Sequence, residues 1–87
     1  MSLREEFDAA ADRVKTLSSR PDNQTLLNLY ALYKQGTDGD VTGKKPGRLK
    51  IADRAKFEAW EARKGMSKDD AMQAYVELVD ELVAGDS

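Results

Sequence analysis

The chain has 87 residues, no cysteine, no histidine and a net charge of −2. That length supports one small core, so a single domain over 1–87 is expected. The missing cysteine excludes disulfides and thiolate metal sites, and the missing histidine excludes Ser–His and Cys–His catalysis along with the commonest metal ligand.

The acidic start, M-S-L-R-E-E-F, carries no apolar secretory segment, and no apolar run approaches the ~20 residues that cross a bilayer. A cytoplasmic protein without stable membrane insertion is expected. Its charge is uneven. Lys44, Lys45, Arg48, Lys50, Arg54 and Lys56 face Asp53 alone, whereas after Met66 only Lys68 opposes Asp69, Asp70, Glu77, Asp80, Glu81 and Asp86. A local positive field suits a small anion, but the mild overall acidity argues against a nucleic-acid partner.

Four helices are predicted and no strand. Ser2 and Glu5 fit a capping box for the first, with Phe7, Ala10, Val14 and Leu17 as its apolar stripe. The residue before Pro21 is biased away from helix, which ends this segment. Asp22 is an N-cap for the second helix. There Leu26, Leu27, Leu29, Tyr30, Leu32 and Tyr33 spread over more than one face, as on a helix packed on two sides or presenting a binding surface. Gly36 and Gly39 are expected to close it.

A long loop follows over 37–50, a length that is often functional. The third helix is predicted over about 51–64. Ile51, Ala55, Ala59 and Ala62 form its stripe, Phe57 and Trp60 serve as core anchors, and Gly65 follows as C′ residue. S-K-D-D at 67–70 caps the fourth helix, with Ala71, Tyr75, Leu78, Val79 and Leu82 inward and fraying at Gly85. The short connections predict antiparallel neighbours for the first and second helices and for the third and fourth.

The segment over 30–40, Y-A-L-Y-K-Q-G-T-D-G-D, places Tyr30, Tyr33 and Lys34 on one helical face. Two rings beside an ammonium suit a phosphorylated heterocycle. Core packing for the tyrosines, and a lysine reaching to water, stand as the alternative. Asp38 and Asp40 flank Gly39 like a fragment of a calcium loop, but the remaining ligands are absent.

The ordered set Y-x-x-Y-K-Q-x-T-x-G-D, P-G, A-K-[FW]-x-A-W and G-x-S-x-x-x-A-x-x-x-Y-[VI] resembles the acyl-CoA-binding protein family, from Phe7 to about Leu82. The resemblance implies an all-α four-helix bundle of up-down-down-up order, with a long loop between the second and third helices. It implies non-catalytic binding, transport and buffering of long-chain fatty acyl-CoA by a monomer, with no cofactor. The implied ligand contacts are Lys15, Tyr30, Ala31, Leu32, Tyr33, Lys34, Lys56 and Tyr75. Four positions depart from the pattern. Ala52 stands where many members carry a lysine, and Lys50 where many carry aspartate; Lys50 or Arg54 is a candidate replacement for the lost cation. Gly36 replaces an alanine, and Phe57 a tryptophan. Two other classes stand beside this reading: a helical protein-interaction module using the Tyr30/Tyr33 face, and a CoA-dependent enzyme, which the absent histidine and cysteine disfavour.

Overall fold

Three of the four helices begin where a short polar side chain can hold a free backbone amide. The computed structural model describes residues 1–86. Its helices are α1 (Leu3–Arg13), α2 (Asn23–Asp38), α3 (Ile51–Glu61) and α4 (Lys68–Gly85), with a 3-10 turn at Val14–Thr16 extending α1. No strand occurs among the described residues. The Ser2 hydroxyl accepts from the Glu5 amide at 3.2 Å, the Asp22 carboxylate from the Thr25 amide at 2.7 Å, and the Ser67 hydroxyl from the Asp70 amide at 3.0 Å. Each such cap contributes about 1 kcal/mol. Lys50, at the start of α3, makes no side-chain cap.

Side-chain ties fix the helix directions. Arg13 pairs with Asp80, and the Asp86 carboxylate accepts from the Ser18 hydroxyl at 2.7 Å and the Ser18 amide at 3.1 Å. The late part of α1 and the segment after it therefore lie along the late part of α4, so these two helices run parallel. The Gln35 amide near the end of α2 donates to the Met66 carbonyl just before α4 at 2.7 Å, so those two run antiparallel. The first turns of α3 meet the first half of α2, and Trp60 near the end of α3 donates to the Gly39 carbonyl at 2.8 Å. The second and third helices are thus parallel, completing the expected up-down-down-up order.

The expected neighbours need two corrections. α1 and α2 are antiparallel, but their backbones do not pack on each other; α1 packs on α4, and it meets α2 through the Phe7 and Tyr33 rings. α3 and α4 are likewise antiparallel, but α3 packs on α2 alone among the helices. The residues after Glu61 explain this. They form successive tight turns, with Arg63 bonded to Trp60 at 2.9 Å and Met66 to Arg63 at 3.0 Å, and carry the chain across α2.

Two boundaries differ from expectation. Gly36 does not close α2; the helix runs on to Asp38, and the stop is Gly39 at φ 82°. Gly36 is a buried interior position, where an added Cβ would meet Met72 Cγ at 3.1 Å and Phe7 Cζ at 3.3 Å. Its missing side chain lets α1 and α4 approach. α3 ends at Glu61 rather than near 64, and its predicted stripe is not buried: Ile51 and Ala62 are exposed, and Trp60 is its one buried residue.

The core is formed by Phe7, Ala10, Leu29, Leu32, Met72, Tyr75 and Val79, all from α1, α2 and α4. Leu78 and Leu82, expected inward, pack half-buried against it. The third helix lies outside this cluster, packing on α2 with Trp60 buried, and polar ties hold the turn that follows it. Fully buried Gln35 donates to Asp40 at 2.9 Å as well as to Met66, and the same Asp40 oxygen accepts from the Gly65 amide at 2.8 Å.

Two outcomes follow from this packing. Alanine at Gly36 gains about 1 kcal/mol of helix propensity, which offsets a shift of the flexible Met72. Gly36→Ala should stay within about 1 kcal/mol of the parent in chemical denaturation, while Gly36→Val should lose about 1–3 kcal/mol by overpacking. A valine variant as stable as the parent would show that α1 and α4 leave room there. Asp40 is held below its ordinary carboxyl value of 3.8, chiefly by the Gly65 amide, then by Gln35 and the Lys64 charge. A depressed folded-state value contributes stability above pH 3.8, and that contribution is lost as pH falls through the folded-state value. Asp40→Asn keeps an acceptor but no charge. Acid melts should show the parent losing stability below about pH 4 more steeply than this variant; parallel curves would refute the charge's role.

Candidate functional site

Tyr30 stands at the seam of the molecule. Its half-buried ring borders three cavities. The largest, about 500 Å³, lies between the first half of α2 and the start of α3. Leu26, Leu27, Ile51, Ala52 and Ala55 give it apolar walls, and Arg20 and Lys56 are its cations. Walls of this kind suit a hydrocarbon, which leaves water at about 0.8 kcal/mol per methylene.

The second cavity, about 300 Å³, lies on the other flank of Tyr30 and brings together Lys15, Tyr33 and Tyr75 with Val14 and Leu29. Phe7 organises the rings behind it. It stacks on Tyr33 at 5.2 Å and meets Tyr75 edge-on at 5.1 Å, while Tyr33 and Tyr75 meet at 5.8 Å. Such pairs favour one fixed arrangement of rings. Tyr33 keeps 40% of its surface exposed, so it presents a held ring to the solvent. Tyr75 is buried, and that burial, followed by the nearby Tyr33, raises its phenol above the ordinary 10.0. It is neutral at physiological pH.

The third cavity, about 240 Å³, is lined by Tyr30, Lys56, Phe57, Trp60, Pro46 and Asp53. Lys56 Nζ lies 5.6 Å from the centre of the Tyr30 ring. Lys34 Nζ lies 5.0 Å from the centre of the Trp60 ring and pairs with Asp38 one turn on. Its ammonium is raised above the ordinary 10.5, first by the Asp38 hydrogen bond and against the opposing effect of desolvation. Lys34 and Lys56 therefore stand near the two walls of one cavity.

Five of the eight residues expected from the sequence line these cavities: Lys15, Tyr30, Tyr33 and Tyr75 the second, and Tyr30 and Lys56 the first and third. Lys34 lines none and approaches the third only over the Trp60 ring. Ala31 and Leu32 do not join them. Both are buried, and neither lines any of the three cavities. Phe57, expected as a core anchor, is half-buried and lines the third cavity instead. Of the two candidate replacements at Ala52, Arg54 is engaged, donating to the Pro46 carbonyl at 3.1 Å and lying 3.6 Å from Glu58. Lys50 is exposed and makes no ion pair among the described residues. Arg20 and the walls of the largest cavity escaped the sequence reading. Leu26 and Leu27 look like any packing leucines, and Arg20 sits in a helix-stop segment with no periodicity to mark it.

An apolar groove joined through one tyrosine to ring-and-cation subsites defines a receptor for an amphiphilic anion. The acyl-CoA-binding protein family model matches residues 4–79. Among curated relatives, acyl-CoA-binding protein homolog 1 of Caenorhabditis elegans is 56% identical over 78 residues, covering 90% of this chain and 91% of that one. The acyl-CoA-binding protein of Brassica napus is 44% identical over 87 residues, covering 100% and 95%. The crystal structure of acyl-CoA-binding protein 2 of Oryza sativa superposes with a TM-score of 0.91 at 44% identity, covering 94% of this chain and 89% of that one. The chain belongs to the acyl-CoA-binding protein family.

Proposed function

We propose that this protein binds long-chain fatty acyl-CoA esters without transforming them, and that it buffers and carries them as a cytoplasmic monomer. Family membership supports acyl-CoA binding and a non-catalytic role. The observation that carries the reading furthest is the shared position of Tyr30. It joins an apolar cavity of about 500 Å³ to subsites holding Tyr33, Tyr75, Lys15 and Lys56. In this reading the acyl chain occupies the largest cavity. The CoA ring system lies against Tyr30 and Tyr33, and its phosphates meet Lys34, Lys56 and Lys15. The Ala31 and Leu32 side chains support the contacting helix from beneath. The competing idea of a helical interaction surface finds less support, because Tyr30 faces concave spaces rather than a flat stripe.

Calorimetric titration with a long-chain acyl-CoA, free CoA and the free fatty acid tests the proposal. Both halves of the ligand are needed, so the ester should bind far more tightly than either part. Equal affinity for fatty acid and ester would overturn it.

Lys34 supplies a sharper expectation. Lys34→Ala should weaken ester binding by about 1.5–3 kcal/mol, the range for hydrogen bonds to charged groups. The loss should shrink with a dephospho-CoA ester. Asp38 competes with the ligand for the same ammonium. Two unit charges about 4 Å apart in water interact by about 1 kcal/mol, so Asp38→Asn should tighten binding about fivefold at low salt, with the gain fading as salt rises. Unchanged affinity in the asparagine variant would show that Lys34 does not exchange Asp38 for a phosphate.

A further inference from the structure

The largest cavity has two unlike ends. α2 and α3 run parallel, so it follows both helices from their first turns onward. Tyr30 and Lys56 stand at one end, and Arg20, Asn23 and Ala52 at the other. Asn23 and Tyr30 lie two turns apart on α2, a rise of about 10 Å. Leu26, Leu27 and Ala55 supply hydrocarbon between them. An acyl chain accounts for that middle, and a CoA phosphate for Lys56. Neither accounts for the far end, where a guanidinium and a carboxamide border an otherwise apolar space.

Arg20 is exposed and makes no ion pair among the described residues. The acids around it are turned elsewhere. Asp22 accepts from the Thr25 amide, and Asp86 from Ser18. Glu81 borders a neighbouring cavity on the other flank of Arg20, out of ion-pair range. No carboxylate lines the largest cavity itself. With alanine at 52, and with Lys50 outside the lining, Arg20 is the cation of this end among the described residues.

We infer that the far end is a subsite for a terminal carboxylate, so that the protein takes CoA esters of long dicarboxylic acids as well as methyl-ended ones. The planar guanidinium matches a carboxylate two bonds at a time, and the Asn23 amide offers a further donor. A carboxylate left unpaired among the leucine and alanine walls would be costly. Arg20 offsets that cost at one depth only, so the chain must be long enough to span the two turns. The inference rests on the acyl-CoA reading and names a ligand class within it.

Calorimetric titration tests it with mono-CoA esters of linear dicarboxylic acids, from decanedioic to hexadecanedioic, beside the methyl-ended esters of the same lengths. The readout is the ratio of the two affinities at each length. In the parent the ratio should peak at one chain length and fall as salt rises. Arg20→Leu should lower that peak about fivefold, the size of a partly exposed ion pair. Arg20→Lys keeps the charge without the fork and should recover part of the loss. A ratio that Arg20→Leu leaves unchanged at every length, with both esters weakened alike, would place Arg20 on the CoA moiety and overturn the subsite. A parent that binds only the methyl-ended esters would overturn it too. A parent that binds neither series would sink the acyl-CoA reading itself.

Discussion

The arrangement depends on α2 having to pack on two sides. α4 covers one side and α3 the other, so no single stripe of apolar residues suffices. Leu29 and Leu32 go to the α4 side, into the core with Phe7 and Val79, and Leu26 and Leu27 help wall the cavity beneath α3. A helix apolar on more than one face is what such a position requires. Tyr30 lies where the two sides meet. Its ring can therefore border a hydrocarbon-like space and charged subsites at once, which neither a core residue nor a surface residue could do.

The two sides are not held alike. α1, α2 and α4 share the aromatic and aliphatic core, whereas α3 contributes Trp60 and is fastened by directional bonds: Trp60 to the Gly39 carbonyl, and Asp40 to Gln35 and the Gly65 amide. Hydrogen bonds fix geometry at modest net energy, about 1 kcal/mol each, while buried hydrocarbon supplies most of the stability. The consequence is that α3 meets α2 outside the main buried cluster. The largest cavity lies at that α2–α3 seam. A ligand bound there would add apolar contact between α2 and α3 and stabilise the folded form by mass action.

Much of this was legible in the residues. Ser2, Asp22 and Ser67 announce their helices because capping is local, and the structure makes those bonds. The tyrosine–lysine cluster was legible for the same reason: spacings of three and four set a face whatever the tertiary fold. The failures are non-local. Gly36 reads as a helix stop on propensity, and only the approach of Phe7 and Met72 reveals it as an interior position. The alanine stripe of α3 has helical period, but a period does not say which face meets a neighbour; Ile51 stays mostly exposed at the edge of the cavity because α3 touches one helix only. Ala31 and Leu32 lie in the same five-residue stretch as the site tyrosines and lysine, yet the 100° turn per residue sends them to the buried side.

Charge placement completes the logic. The cavity seam and the loop before α3 both draw on the basic stretch between Lys44 and Lys56, but its cations serve different ends according to what holds them. Lys45 and Arg54 are spent on Glu58, Glu61 and the Pro46 carbonyl, and so build the loop. Lys56 lies over the Tyr30 ring, and so belongs to the seam. Exposed pairs such as those on α3 add little stability by themselves. Their effect is geometric: they fix how the loop before α3 stands relative to the cavity. A net charge of −2 says nothing of this, because the sum over the chain cancels a field that is strongly positive where the structure opens and negative along the far half of α4.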